Sequence, residues 1–264
     1  MRPEQSKLSA LLLACALVSA WSGEIVQPAT DVGFFPSKGG APPAPWRVVQ
    51  LNAKVPPTQY HLAVVDGVAA VQAQADASMA LLGRPLAIDI QATPVLCWRW
   101  RVHGVVEAAD MSRKDGDDYA ARVYVAFRMP AESLSFGTRA KLGLARALFG
   151  NDVPDAAVNY VWDNRHPVGM RRFNAYTDRA AMVVQRSTNQ QAGRWVHERA
   201  NVLDDVVRAF GTTEVTAQLL AVASDTDNTG ASASAAFADL HFVGAQAACR
   251  FPEPTKGGGA EVNP

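Results

Sequence analysis

The sequence predicts an all-β fold, a jelly-roll-like β-sandwich with one or two short helices. Short segments with apolar residues at every second position recur along the chain, and this period is typical of half-buried strands. Turn residues separate the segments, and helical patterns do not alternate with them as they would in a βαβ fold. The chain has 264 residues and is 48% hydrophobic, which is enough for the core of one large β domain.

The clearest alternating segment is residues 94–102, PVLCWRWRV. It places Trp98 and Trp100 on one face of a strand, and Arg99 and Arg101 on the other. The same alternation predicts further strands at residues 84–92, 118–127, 156–162, 179–186, 193–201, 216–224 and 235–242.

Two segments have the spacing of helices. Residues 200–211, ANVLDDVVRAFG, predict a helix because Asn201 suits the N-cap, acidic residues follow in the first turn, and Gly211 suits the C-terminal cap. Residues 137–150 fit two alternatives, a helix that ends at Gly150 or a strand followed by a loop.

Residues 1–20 are typical of a signal peptide. Basic residues precede the apolar run at 8–20, which is shorter than the roughly 20 apolar residues of a membrane-spanning helix. We expect cleavage after Ala20, but LLAC also resembles a lipoprotein box in which Cys15 would be lipidated. Both alternatives place the mature protein outside the cytoplasm, in the periplasm or the medium, without a transmembrane helix.

A single sandwich domain is expected over residues 45–250. Residues 21–44 are rich in glycine and proline and predict an N-terminal loop, and residues 251–264 predict a flexible C-terminal tail. Cys97 and Cys249 are candidates for a disulfide in an oxidising compartment. The alternative is two unpaired cysteines, one of them packed as a small apolar side chain.

Charge and motifs exclude several classes of function. Lys+Arg and Asp+Glu both number 25, so neither nucleic acid nor an anionic membrane surface is an expected partner. The sequence has no Gly-x-Ser-x-Gly elbow, His-Glu-x-x-His motif, P-loop or dinucleotide fingerprint. The catalytic residues, if there are any, stay unknown at this stage.

Arginines, acidic residues and aromatic residues predict a ligand-binding sheet face. If the strands at 94–102 and 118–127 pair, their outward arginines lie together beside an acidic hairpin, and such a face can bind carboxylates or hydroxyl-rich ligands. The alternative is that the arginines pair with the aspartates. The polar and aromatic segment 159–176 adds loop residues, although Trp162 suits the core equally well. The candidate ligand-binding residues are Arg99, Arg101, Asp117, Asp118, Arg122, Tyr124, Trp162 and Arg165.

The segment 225–230, DTDNTG, has the first six residue types of a calcium loop. An EF-hand is excluded because its twelfth position is Ala236 instead of glutamate and because the flanks are strand-like. A looser structural calcium site is one alternative, with Asp225, Asp227 and Asp239 as candidate metal ligands. The other is a polar turn in which Asp225 caps its own backbone.

Four stretches in order resemble an uncharacterised bacterial family, domain of unknown function 3047. They are VLCWRWRV…AADMSRKDGDDYAARVYVAF, VNYVWDNRHPVG, RWVHERANVLDDVVRAFG and LLAVASDTDNTGASASAAFADLHF. The resemblance covers roughly residues 45–243 and implies an exported jelly-roll domain without an established activity, substrate or catalytic residue. AFADLHF is also similar to the last strand of jelly-roll carbohydrate-binding modules, where an aspartate at the position of Asp239 helps to hold a structural calcium ion.

The leading functional hypothesis is an exported, non-catalytic binding protein for a glycan or another cell-envelope polymer. One alternative is a polysaccharide hydrolase or lyase with its site on the sheet face, and another is a structural envelope protein. An enzyme requires the candidate residues to converge around a carboxyl or tyrosine group with a shifted pKa. Arginines and aspartates that pair along a flat face would argue against it.

Overall fold

Two β-sheets pack face to face and enclose the main hydrophobic core. The computed structural model describes residues 29–149 and 153–255. The six-stranded sheet, sheet A, has the order β11 (Val196–Asn201), β6 (Val95–Val102), β13 (Ser232–Val243), β4 (Val68–Asp76) and β3 (Gln59–Val65), with β1 (Ala29–Gly33) also paired to β13. The seven-stranded sheet, sheet B, has the order β2 (Arg47–Val49), β5 (Leu81–Pro85), β12 (Thr216–Asp225), β7 (Tyr119–Arg128), β8 (Ala156–Asp163), β10 (Thr177–Ser187) and β9 (Arg171–Asn174). Neighbouring strands are antiparallel except β8 and β10, which are parallel. The predicted jelly-roll-like sandwich is confirmed.

Aromatic side chains from both sheets meet in the core. The rings of Trp98 and Tyr160 lie 5.3 Å apart, and those of Trp100 and Trp162 lie 5.7 Å apart. All four side chains are buried, and large aromatic rings contribute much of the apolar area that a core removes from water. Trp98 and Trp100 share one face of β6, as the alternation predicts, and Trp162, for which the core was one of two alternatives, also belongs to the core.

Among the residues that the structure describes, two α-helices, α1 (Phe136–Phe149) and α2 (Val202–Phe210), lie outside the sheets. In α2 the Asn201 side chain accepts a hydrogen bond from the backbone N–H of Asp204, and Gly211 adopts the left-handed conformation after the last turn. Buried Val202 and Val206 attach α2 to the inter-sheet core. The prediction of a helix at 200–211 is confirmed, and the ambiguous segment 137–150 is helical.

One predicted strand is wrong, and one hairpin was not predicted. Residues 84–92 extend strand structure only to Pro85, after which Leu86 and Ile90 reach the core from a loop. The alternating apolar residues after Pro85 are buried against the core, although their segment is not a strand of the sheet. The missed hairpin joins β3 to β4 through Asp66 and Gly67, both at positive φ, which suits the short turns of hairpins.

Both ends of the domain differ from the predicted boundaries. Ala29–Gly33, at the start of the described chain and inside the predicted loop at 21–44, form a strand because β1 pairs with β13. Cys97 and Cys249 form a disulfide that attaches residues 244–255, here called the C-terminal strap, to sheet A. The described part of the predicted tail, residues 251–255, belongs to this strap.

The strap makes its contacts on the outer face of sheet A. The backbone N–H of Arg250 donates to Nε2 of His241, and Phe251 stacks on His197 with ring centroids 4.2 Å apart. The expected signal peptide at 1–20, with Ala20 and Cys15, lies outside the described residues. In the described part of the chain, no helix has the length and apolar character needed to span a membrane.

Candidate functional site

The outer face of sheet B, which points away from the core, carries four of the predicted ligand-binding residues. Val123 and Val125 of β7 point into the core, so Arg122 and Tyr124 between them point outward. Asp117 and Asp118 lie just before β7, in a loop where a Cβ at Gly116 would be 2.8 Å from the backbone nitrogen of Asp110. Close backbone packing therefore holds the two aspartates at the start of the strand.

Arg122 and Asp225 form a buried ion pair at the centre of this face. Nε of Arg122 donates to Oδ1 of Asp225 at 2.8 Å, and Nη2 donates to Oδ2 of Asp225 and to the backbone carbonyl of Asp117. Arg122 is 3% exposed and Asp225 is 2% exposed. Burial raises the pKa of the Asp225 carboxyl well above its usual range, although the Arg122 guanidinium opposes this shift.

Two tyrosines flank the ion pair. The guanidinium of Arg122 lies 4.2 Å from the ring centroid of Tyr119, a cation–π contact. Tyr124 also hydrogen-bonds to Arg122, and burial raises the pKa of its hydroxyl. The Tyr124 hydroxyl is therefore protonated at neutral pH and has no access to the phenolate form that a general base would need.

A row of outward-facing residues, here called the polar row although its third member is a methionine, runs from Tyr124 across the neighbouring strands. Tyr124 in β7 is opposite Asn159 in β8, Asn159 is opposite Met182 in β10, and Met182 is opposite Arg172 in β9. Asn159 is 2% exposed. Among the described residues, neither its buried Oδ1 nor the buried Nε of Arg172 has a hydrogen-bond partner. Buried polar atoms without partners are uncommon. One acceptor, Oδ1 of Asn159, and one donor, Nε of Arg172, are therefore unusual features of the polar row.

Asp117 adds another such atom beside the polar row. Its Oδ2 accepts a hydrogen bond of 2.8 Å from Asn174, the neighbour in β9 that follows the polar row. Its buried Oδ1 has no hydrogen-bond partner in the described part of the chain and lies 3.6 Å from Nη2 of Arg122. One oxygen of Asp117 therefore remains available to a hydrogen-bond donor.

The DTDNTG segment lies at the end of β12, next to the ion pair. Carboxylate oxygens of Asp118, Asp225 and Asp227 come within 4.8 Å of one another. Asp118 accepts hydrogen bonds from the backbone N–H groups of Asn228, at 3.2 Å, and Thr229, at 2.7 Å. Burial raises the pKa of Asp227, and the charge of Asp118 adds to the shift. Asp118, distant in sequence, is thus the residue that holds this loop.

Asp239 does not belong to this group. It lies in β13 of the other sheet, at φ 54° in an irregular part of the strand, and forms an ion pair with Arg99. Burial raises the pKa of its carboxyl to about 6. The predicted grouping of Asp239 with Asp225 and Asp227 is therefore wrong, and calcium binding at Asp118, Asp225 and Asp227 stays a prediction.

The strands at 94–102 and 118–127 do not pair, so the condition for a shared arginine face is not met. Arg99 and Arg101 belong to β6 in sheet A, whereas Arg122 and Tyr124 belong to β7 in sheet B, because the intervening chain crosses to the opposite sheet. The outer faces of the two sheets point in opposite directions. The four residues therefore cannot share one site.

The arginines of β6 are engaged by neighbouring chain segments. Arg99 donates from Nη2 to the carbonyl of Pro252 in the strap, in addition to its pair with Asp239. Arg101 pairs with Asp66 at the tip of the β3–β4 hairpin, at 3.1 Å. These contacts bind loops to the sheet.

Trp162 and Arg165 make contacts that stabilise the fold. Trp162 is buried in the core, where its indole N–H donates to the carbonyl of Thr188 at 3.0 Å. Arg165 donates from Nη2 to the carbonyl of Ala109 at 2.7 Å and thereby connects two loops. Neither residue contributes to the polar row.

A cleft beside α2 was not predicted. Two adjoining cavities of about 190 Å³ and 280 Å³ share Arg171, Val183, Asp205 and Arg208 as lining residues. Asp205, which is 6% exposed, accepts hydrogen bonds from the Tyr160 hydroxyl at 3.0 Å and from Nη2 of Arg171 at 2.7 Å. Paired arginines before an aromatic residue at 171–173 were the available sequence signal, but the contribution of α2 required the fold.

The fold and these surfaces define a class: a jelly-roll-like β-sandwich with a polar outer sheet face and a lateral cleft. A family profile described as "Protein of unknown function (DUF3047)" matches residues 44–241. The chain belongs to this family. A search of curated proteins found no match.

Two solved structures resemble the fold. One is endoglucanase 3 from glycoside hydrolase family 12 of Trichoderma harzianum, with a TM-score of 0.40 and 8% identity, covering 83% of this chain and 98% of that chain. The other comes from a comparison of family 12 glycoside hydrolases, with a TM-score of 0.36 and 11% identity, covering 82% of this chain and 84% of that chain. At these scores the likeness carries no argument about the activity of this protein.

Proposed function

We propose that this protein is an exported, non-catalytic binding protein that recognises a glycan or another cell-envelope polymer on the outer face of sheet B. The observation that carries the proposal is the polar row formed by Tyr124, Asn159, Met182 and Arg172, in which Oδ1 of Asn159 and Nε of Arg172 lack partners among the described residues. Support for export comes from the disulfide between Cys97 and Cys249, since disulfides persist mainly in oxidising compartments.

The unsatisfied atoms suit a hydroxyl-rich ligand. Oδ1 of Asn159 and Oδ1 of Asp117 need donors, whereas Nε of Arg172 needs an acceptor. A hydroxyl group both donates and accepts, so a hydroxyl-rich ligand suits a face on which both acceptors and a donor lack partners among the described residues. A simple anion would satisfy Arg172 and be repelled by Asp117.

The surrounding carboxylates favour binding over catalysis. Both oxygens of Asp225 are hydrogen-bonded to Arg122, and one oxygen of Asp117 is hydrogen-bonded to Asn174. Hydrolysis of a glycosidic bond requires two carboxyl groups that can reach the substrate. Asp117 and Asp225, with these hydrogen bonds, do not form such a pair.

Retention on immobilised polysaccharide tests the proposal. We expect Asn159→Leu and Arg172→Gln to reduce retention, and Arg113→Gln, in an exposed loop pair, to leave it unchanged. Asn159→Leu should retain or raise the melting temperature, because it removes an amide oxygen that has no partner among the described residues.

Three results would count against the proposal. The folded protein could fail to bind every envelope polysaccharide offered, or both variants could bind like the wild type. Release of new reducing ends or unsaturated products from the polysaccharide would instead support the enzyme alternative.

A further inference from the structure

We propose a second ligand site, in the cleft between α2 and strands β9 and β10, which binds a hexuronate, a sugar ring that carries a carboxylate. This inference goes beyond the proposed function because Phe173 and Arg171, which line the cleft, alternate along β9 with Arg172 and Asn174, which belong to the side of the polar row; of these two, Arg172 also borders the smaller cavity. The two surfaces therefore lie on opposite faces of one strand.

The cleft has room for one or two rings. Its cavities measure about 190 Å³ and 280 Å³, which is somewhat below the usual 300–1,000 Å³ of pockets for larger ligands. Four arginines and two aspartates line them, namely Arg171, Arg172, Arg199, Arg208, Asp204 and Asp205. The excess of positive charge favours a ligand with a negative group.

Two hydrogen bonds fix the side chain of Arg171 in the wall of the cleft. It donates from Nη2 to the buried carboxylate of Asp205 and from Nη1 to the carbonyl of Gly169. A guanidinium has five N–H bonds, so further donors remain, and the side chain is 43% exposed. Because Asp205 already fixes the guanidinium, a carboxylate can bind there at little cost in side-chain entropy.

Arg208 supplies a second guanidinium. It lies in the last turn of α2, is exposed, and makes no hydrogen bond or ion pair with any residue that the structure describes. Both cavities include it in their lining together with Arg171. Two arginines beside one cleft match the geometry of a carboxylate, which accepts from planar guanidinium groups.

The rest of the lining matches the two sides of a sugar ring. Phe173 is 42% exposed and, with Ala181, Val183 and Ala209, gives the smaller cavity an apolar wall. Aromatic rings present such a flat apolar surface to a ring's C–H face. The larger cavity is lined by the amides of Gln185 and Asn201, which can donate to and accept from hydroxyl groups.

Titration of the purified protein with glucuronate and with glucose, followed by NMR or calorimetry, tests the inference. We expect glucuronate to bind more tightly than glucose, because only glucuronate engages the arginines. Arg208→Gln and Phe173→Ala should each weaken glucuronate binding on the order of tenfold. Arg194→Gln is the matched control, since Arg194 is an exposed arginine outside both cavities.

The outcomes separate this site from the one on the sheet face. Equal affinity for the two sugars, no detectable glucuronate binding, or no effect of Arg208→Gln and Phe173→Ala would overturn the inference. Loss of glucuronate binding in Asn159→Leu would also overturn it while supporting the proposed function. Retained binding in Asn159→Leu, together with loss in Arg208→Gln, would support a separate cleft site even if no polymer binds to the sheet face.

Discussion

Arg122 and Asp225 make a two-pronged ion pair that is almost completely removed from water. Their strands, β7 and β12, are neighbours in sheet B, so the pair lies across a single strand-to-strand contact. Burial of two charges is favourable only when each charge keeps its partner. Substitution of either residue would therefore leave the charge of the other buried without a partner.

Arg122→Met should destabilise the protein by about 3–5 kcal/mol at neutral pH, the usual cost of breaking a buried pair. The loss should be smaller at pH 5 than at pH 8. The Arg122 guanidinium opposes the burial-driven rise in the pKa of Asp225, so its removal raises this pKa further, and protonation of Asp225 in the folded variant relieves the unpaired charge at low pH but not at high pH. Urea unfolding at both pH values measures the effect.

The control for this experiment is Arg113→Gln. Arg113 pairs with Asp115 in a loop where both side chains are exposed, and we expect no measurable change in the urea midpoint. A similar midpoint for Arg122→Met and the wild type would contradict the importance of the buried pair.

Removal of the disulfide should lower the free energy of unfolding by about 5 kcal/mol, from the loop-entropy relation for a separation of 152 residues. Guanidinium unfolding of the wild type and of a Cys97→Ala, Cys249→Ala double variant measures the difference. Reductant should shift the wild type towards the variant and leave the variant unchanged. Equal stability of the two proteins would indicate that the strap is held by its other contacts.

We expect protonation of His241 to lower the stability of the folded protein in mild acid. Burial lowers its pKa in the folded state, so its contribution is present above its unfolded pKa of about 6.5 and is lost as pH falls through the folded pKa. The neighbouring Asp239, with a pKa of about 6, contributes in the opposite direction. Melting temperatures at pH 7.5 and 5.0 should therefore differ less in His241→Gln than in the wild type, and an unchanged difference would contradict this role.

The calcium prediction now concerns Asp118, Asp225 and Asp227. Several carboxylates share this region with the single guanidinium of Arg122, so a divalent cation would reduce their mutual repulsion. A bound ion should raise the melting temperature in calcium relative to chelator, and Asp227→Asn should reduce that rise. Identical melts in calcium and in chelator would rule out an occupied site.

Local patterns in the sequence predicted strands, helix caps and inward tryptophans, but not the partners of the strands. The alternation in β6 is the same whether its neighbour is β7 in one sheet or β13 in the other, so Arg99 and Arg122 could not be separated from the sequence. Asp118 lies 110 residues from Asn228, whose loop it holds, and no local pattern carries that relationship. The cleft beside α2 likewise depends on where the helix packs.

The position of β13 has a consequence for the biosynthesis of the protein. This strand ends at Val243 and pairs with β1, β4 and β6, so sheet A lacks its central member until residue 243 has left the ribosome. Contacts between residues so far apart in sequence are typical of slowly folding β proteins. The nascent domain must therefore remain without its complete tertiary structure until β13 has been made, and the sheet can close and Cys249 can reach Cys97 only after that point.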